Sequence, residues 1–391
     1  MDALTTPLPK DWEIKTFRDI STINQGLQIP ISQRLKAPTE HAKFYITIQA
    51  LNNRKEFEYI KTYNESVVCH KDDILMTRTG NTGMVITNIE GVFHNNFFKI
   101  NFDRTLINKD FLVYFLSLEQ TQKTILRKAG TSTIPDLNHN DFYSLLIPLP
   151  PLNEQIAIAN ILSDVDRYLY SLDALILKKE SVKKALSFEL LSQRKRLKGF
   201  NQAWQRVRLG DVGKPCMCKR VMKHQTTRYG EIPFYKIGTF GNTADAFISK
   251  KLFLEYKTKY SFPKKGDILI SASGTIGRAV IYDGKPAYFQ DSNIVWIDND
   301  ETLVKNDFLF YAYSNVKWDT EHTTILRLYN DNFKNTLIPL PPLNEQIAIA
   351  NILSDVDSEI ISLKNKKRQF DNIKKALNHD LMSAKIRVLK K

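Results

Sequence analysis

Two stretches gather hydroxyl, amide and guanidinium groups around a pair of glycines three residues apart. They are Asp72-Asp-Ile-Leu-Met-Thr-Arg-Thr-Gly-Asn-Thr-Gly83 and Lys265-Gly-Asp-Ile-Leu-Ile-Ser-Ala-Ser-Gly-Thr-Ile-Gly277. Each reads as a strand followed by a polar turn, since glycine tolerates positive φ and close backbone approach. Such a turn can lay polar groups against phosphates or base edges, and the same pattern also serves as a plain connector between strands. Candidate base-reading residues in the first half are Arg78, Asn81, Thr82, His94, Asn95 and Asn96. In the second they are Lys236, Ser271, Ser273, Thr275, Arg278, Gln290 and Asn293. These side-chain types pair with base edges in the major groove. Singly, each also suits solvation or turn capping; their grouping around two similar turns carries the reading.

Catalytic patterns are wanting. The chain has no GxxxxGK[ST] loop and no strand-linked GxGxxG, so the usual phosphate cradles are missing. Leu149-Pro-Pro-Leu152 lacks the polar first residue and aromatic last residue of the amino-methyltransferase motif, and serves better as a helix-entry device. Glu13-Ile-Lys15 could close a nuclease carboxylate motif, but no well-spaced upstream Asp accompanies it, and Gln205 replaces Glu13 in the repeat. The seven histidines are scattered, and Cys69, Cys216 and Cys218 fall short of a zinc site. No catalytic residue, metal ligand or cofactor site is therefore assigned.

The 56 Lys and Arg against 42 Asp and Glu give a formal charge of +14, which favours a polyanionic partner. Basic residues are densest at 178–198 and 364–375, on expected helices, where they could also cover helix surface or face an acidic protein. Neither a membrane span nor an export signal is expected, and the default location is the cytoplasm.

What must position the turns is a repeat. The 21-residue sequence LIPLPPLNEQIAIANILSDVD occurs at 146–166 and, unchanged, 191 positions later at 337–357. An entry segment recurs as well, at Trp12–Ile20 and Trp204–Val212, and Asp110-Phe-Leu-Val-Tyr-Phe-Leu116 matches Asp307-Phe-Leu-Phe-Tyr-Ala-Tyr313 within an expected helix over 109–122. Pro148, Pro150 and Pro151 delay a helix until about residue 152, with Asn153 as N-cap and Glu154 favouring the helix dipole. From there Ile158, Leu162, Val165, Leu169, Leu172 and Ile176 recur at steps of four and three, resuming at Val182, Leu186 and Leu190. The second copy runs through Ile349, Leu353, Val356, Ile360, Leu363, Phe370, Ile373, Leu377 and Leu381. Ile176 corresponds to Lys367, and Lys179 to Phe370, so the two stripes could complement one another in an antiparallel pair. Each helix should have roughly 40–45 residues, or about 60–70 Å.

The doubled Ile-Pro-Leu-Pro-Pro-Leu-Asn-Glu-Gln helix, two divergent domains and the Gly-Asp-Ile-Leu-Ile-Ser-Ala-Ser-Gly-Thr-Ile-Gly segment together resemble the specificity subunit of type I restriction–modification systems, over essentially the whole chain. The resemblance implies an α+β protein of two α/β target recognition domains separated by two long antiparallel coiled-coil helices, with an internal pseudo-two-fold repeat. The expected limits are 1–150 and 199–341 for the domains, and 151–198 and 342–391 for the spacer helices. Each domain would read half of a bipartite double-stranded DNA target. Two methyltransferase subunits would dock on the scaffold and restriction subunits would join them, the partners supplying S-adenosylmethionine, ATP and magnesium chemistry. Two other readings remain: a coiled-coil adaptor that does not touch DNA, and a methyltransferase or nuclease with unrecognised motifs.

Overall fold

The computed structural model describes residues 8–52, 57–319 and 327–388, in two compact units: Met1–Asp173 with Asn365–Lys391, and Ala174–Lys364. In the first unit, Thr16 and Asp19 form a capping box that turns strand Glu13–Thr16 through one helical turn into strand Ser21–Gln25. That strand edges an antiparallel sheet, followed in space by Phe97–Phe102, Ile74–Thr77 and Val85–Ile86. A second sheet orders Tyr59–Ile60, Lys43–Ile46, Gly91–Phe93 and Val68–Cys69, with Lys43–Ile46 and Gly91–Phe93 parallel. Side chains alternate across a strand. Ile74 and Met76 accordingly enter the core beneath the helices, while Leu75 enters the core of the second sheet.

The second unit repeats this plan with little sequence in common. Gly213–Met217, Ile294–Asn299, Ile268–Ser271 and Ala279–Ile281 form the antiparallel sheet. Phe247–Ile248, Ile232–Tyr235 and Tyr288–Phe289 form the other, again with one parallel pairing between its central and last strands. Ile268 and Ile270 point to one core and Leu269 to the other. Pattern and position are kept where residue identity is not, which is why the correspondence is faint in sequence.

Each copy of the exact repeat opens as a strand paired with the entry segment: Glu13–Thr16 with Leu146–Leu149, and Gln205–Arg208 with Leu337–Leu340. The prolines then release the chain into helices of 40 residues, Leu152–Leu191 and Leu343–Met382. Asn153 is not the N-cap: it lies inside the first turn, its Oδ1 accepting only from Glu154 N at 3.0 Å, while the Pro151 carbonyl accepts from both Glu154 N and Gln155 N. The expected single helix over 109–122 is two, Lys109–Leu116 and Glu119–Ala129. Gln122 Nε2 donates to the Leu116 carbonyl at 2.6 Å, satisfying a terminal group left by the break.

The Glu-Gln pair of the repeat is a socket. Gln155 accepts from Asn108 N and donates to the Leu106 and Pro150 carbonyls; Gln346 accepts from Lys305 N and donates to those of Leu303 and Pro341. Glu345, its side chain 1% exposed, accepts from Trp204 Nε1 and from Nε and Nη2 of Arg196, each at 2.9 Å. Glu154 likewise accepts from Trp12 Nε1 at 3.1 Å and from Arg387 at 2.7 and 2.9 Å. Both arginines follow the end of the other long helix, where Gln193 and Ala384 adopt φ of 62° and 55° and the Lys195 and Ile386 amides close onto Glu189 and Asp380.

Each long helix changes unit near its middle, so both units hold an antiparallel pair of half-helices. In the first unit Lys374 pairs with Asp166 and Lys367 with Asp173; in the second Lys183 pairs with Asp357 and Lys179 with Glu359. Rising numbers on one helix meet falling numbers on the other. The two half-helix pairs differ in chemistry at matching places: where the second unit has the Lys179–Glu359 ion pair, the repeat-equivalent residues of the first, Phe370 and Tyr168, hold their rings 4.6 Å apart. Ile158, Leu162, Ile349 and Leu353 are wholly buried, each contributing about 1.5–3 kcal/mol. Val182 and Ile373 depart from the expected seam and are 45% and 49% exposed. Six residues past Ile176, at about 100° per residue, Val182 lies roughly 120° off the buried face.

Candidate nucleic-acid interface

The two glycine turns have the same internal wiring. Thr77 Oγ1 and Ser271 Oγ donate to the carbonyls of Asn81 and Thr275, and accept from the amides of Met84 at 2.9 Å and Arg278 at 3.0 Å. Gly83 N and Gly277 N reach back to the Thr77 and Ser271 carbonyls at 2.8 and 2.9 Å. Gly277, at φ 82°, has Trp318 packed so close that an added Cβ would lie 2.1 Å from Nε1.

These bonds sort the candidates. Ser271 is 2% exposed and both functions of its hydroxyl are engaged within the turn, so it builds the turn and presents nothing outward. Thr82 is 7% exposed and donates to the Pro135 carbonyl at 2.7 Å, tying the first turn to a neighbouring loop. Arg78 Nη2 meets Asp136 at 2.7 Å with its side chain 17% exposed, and its buried Nε has no partner among the described residues. Asn81 is exposed on the turn, as are Thr275 and Arg278, whose Nη1 donates to the Phe240 carbonyl at 3.1 Å.

His94, Asn95 and Asn96 lie together on the tight connection between Gly91–Phe93 and Phe97–Phe102, half-buried. His94 Nδ1 accepts from Asn96 N at 3.1 Å, and burial, helped by Arg34, pushes its pKa below the usual histidine value, so the ring is neutral at neutral pH. Asn96 gives its carbonyl to Arg78 N. Asn95 Nδ2 donates to Gln28 Oε1 at 3.3 Å, while its own buried Oδ1 has no partner among the described residues.

In the second unit the equivalent connection borders a concavity of about 550 Å³. Lys236, Gln290 and Asn293 line it together with Arg220, Lys223 and Arg327, which no motif marks in the sequence. Gln290 Oε1 accepts from Ile237 N at 2.9 Å and Asn293 Oδ1 accepts from Ser273 Oγ at 2.8 Å, so the acceptor ends are engaged and, among the described residues, the amino ends are left to donate. Lys236 pairs with Asp245 at 2.8 Å. The lining is rich in donors, the complement of phosphate oxygens and of guanine O6 and N7. Arg220 lies three residues past the edge strand Gly213–Met217, in the loop that borders this concavity, and Gln28 lies three residues past the edge strand Ser21–Gln25 of the first unit; no motif marks either in the sequence.

A family model for the type I restriction modification DNA specificity domain matches residues 9–179 and again residues 201–370. A type I restriction enzyme specificity subunit of Haemophilus influenzae is 42% identical over 367 residues, covering 88% of either chain. The MjaVIII specificity subunit of Methanocaldococcus jannaschii is 26% identical over 97% of this chain and 94% of its own. Among solved structures, the type I S subunit from M. genitalium superposes with a TM-score of 0.59 at 18% identity, covering 96% of this chain and 98% of that one.

Proposed function

Since this chain belongs to the type I restriction–modification DNA specificity family, we propose that each of its two units reads one half of a bipartite DNA sequence through the glycine turn and the polar connection beside it. The chain is a type I specificity subunit. The observation that carries the finer reading is the pair of identically wired turns set among different outward side chains: one mounting, two surfaces. Asn81, His94, Asn95 and Asn96 in the first unit, with Lys236, Thr275, Arg278, Gln290 and Asn293 in the second, form the face toward DNA. Arg78, Thr82, Ser271 and Ser273 hold that face in shape.

The chain contributes position and no bond-breaking chemistry of its own. Adenine methylation needs a base flipped into a methyltransferase pocket, and that pocket belongs to partner subunits. The two matching helices offer two equivalent seats, so two methyltransferase subunits dock on one chain, with restriction subunits joining them in the cytoplasm. The long helices act as the spacer between half-sites.

Methylome sequencing of cells with and without the gene tests this directly. The expected result is a bipartite methylated motif that vanishes with the gene. Footprinting of the assembled complex should show two protected patches with a gap; uniform, salt-sensitive protection would refute sequence readout. Cleavage or S-adenosylmethionine binding by the chain alone would refute the division of labour.

A further inference from the structure

At one place in the fold the two units carry different side-chain pairs on the same backbone. The edge strands Ser21–Gln25 and Gly213–Met217 pair with Phe97–Phe102 and Ile294–Asn299 in the same antiparallel manner. Three residues beyond each edge strand stand Gln28 and Arg220, both exposed. Across from them, on the connection leading into the partner strand, stand Asn95 and Asp291. Asn95 Nδ2 donates to Gln28 Oε1 at 3.3 Å; Arg220 Nε donates to Asp291 Oδ2 at 2.8 Å.

We propose that these are the paired base readers of the two half-sites, Arg220 selecting a guanine and Gln28 an adenine. The proposal rests on the reading that this face meets DNA. The argument is one of leftover hydrogen-bonding capacity. Asp291 engages the Nε edge of a guanidinium that is 67% exposed, while the Asp291 side chain is itself only 15% exposed and so well fixed. Nη1 and Nη2 of Arg220 meet no acceptor among the described residues. An arginine held by Nε with its two terminal amines turned outward has two parallel donors, and guanine alone offers the matching pair of acceptors, O6 and N7, in the major groove.

Gln28 differs as adenine differs from guanine. Its Oε1 takes one bond from Asn95 and retains a second lone pair, and its Nε2 has no partner among the described residues. One acceptor beside one donor fits adenine N6 and N7. In both units the second residue acts as a positioning residue. It restricts the rotamers of a long exposed side chain before DNA arrives, which lowers the ordering entropy of binding. The surroundings agree, since Lys223, Lys236 and Arg327 beside Arg220 favour an acceptor-rich edge.

The test is a specificity exchange in the full chain with its partner subunits, read by methylome sequencing. The double variant R220Q with D291N should turn one guanine of one half-site into adenine and leave the other half unchanged. Q28R with N95D should turn an adenine of the other half into guanine. A motif that stays the same in both variants while methylation persists overturns the proposal. Where a variant fails to assemble, the wild-type complex decides. Replacing each purine of its target in turn by the 7-deaza base should weaken binding about 10- to 100-fold at one guanine and one adenine, in opposite halves. A uniform response, or a wild-type motif with no guanine in either half, overturns the proposal while the functional reading stands. No bipartite motif in the wild type refutes that reading and this proposal with it.

Discussion

Removing the Glu345 carboxylate, by Glu345→Ala, should loosen the second helix socket by an amount the structure allows to be worked out. Three hydrogen bonds of 2.9 Å are lost, two of them from the Arg196 guanidinium, and the side chain is 1% exposed. Breaking a buried ion pair costs about 3–5 kcal/mol. Arg196 is 29% exposed and can rehydrate, which places the change near the bottom of that range, about 3 kcal/mol. At roughly 2–4 °C per kcal/mol for a unit of this size, Tm should fall by about 6–12 °C. A double-mutant cycle isolates the pair. Arg196→Ala alone should cost about 4 kcal/mol, since it leaves an uncompensated buried carboxylate with only Trp204. The double variant should cost little more than Glu345→Ala, giving a coupling of roughly 3–4 kcal/mol by urea denaturation. Additive effects, with coupling under about 0.5 kcal/mol, would refute the idea that the carboxylate and guanidinium act as a unit.

Exchanging the ion pair for its repeat-equivalent rings, with K179F and E359Y together, should leave stability within about 1 kcal/mol of wild type, because an exposed pair contributes about 0–1 kcal/mol and an aromatic contact about 0.5–1.5. A double variant less stable than K179F alone would contradict the equivalence of the two half-helix pairs. Gly277→Ala should disrupt the second turn through Trp318 and a φ of 82°, costing about 1–3 kcal/mol and weakening readout of one half-site only; Gly274→Ala, with its nearest neighbour 3.7 Å away, should cost less. Burial pushes the thiols of Cys69 and Cys218 up to about 12. Their folded pKa lies above the unfolded value of about 8.5, so their contribution is intact below that pH and is lost as pH rises toward 12. Urea midpoints at pH 7.5 and 10 should show the loss, and Ellman's reagent at pH 8 should label Cys216 fastest in the folded chain. Affinity for DNA should fall steeply and linearly on a log–log plot as salt rises, a slope of zero refuting phosphate contact.

The start of the helix was legible because prolines act on their own backbone: three of them leave Leu152 as the first residue free to turn. The apolar stripe was legible as far as Ile176, where steps of four and three hold one face. Beyond it, Val182 fits the composition of a seam and misses its angle. The turns were legible because a positive φ selects glycine at 80, 83, 274 and 277. The socket was not, because Gln155 and Gln346 bond to backbone amides and carbonyls contributed by remote segments, and a backbone group leaves no letter in the sequence. Arg196 and Arg387 were hidden for another reason: each is one of many basic residues at a helix end, and only the fold shows which one meets a buried carboxylate. Arg220 and Gln28 leave no common mark in the sequence because they are unlike; what they share is a place, and alignment by letters cannot see a place.

The glutamine socket has an evolutionary corollary. A joint that grips main chain is indifferent to the side chains of whatever it grips, and it asks of an incoming domain only a strand, a tryptophan and a loop of the right course. The cargo on either side can then drift, or be replaced wholesale, without re-fitting the joint, whereas the joint itself has nothing to gain by changing. Such a design separates what can vary from what must fit, and 21 residues identical in both copies beside two unlike domains are in keeping with that separation.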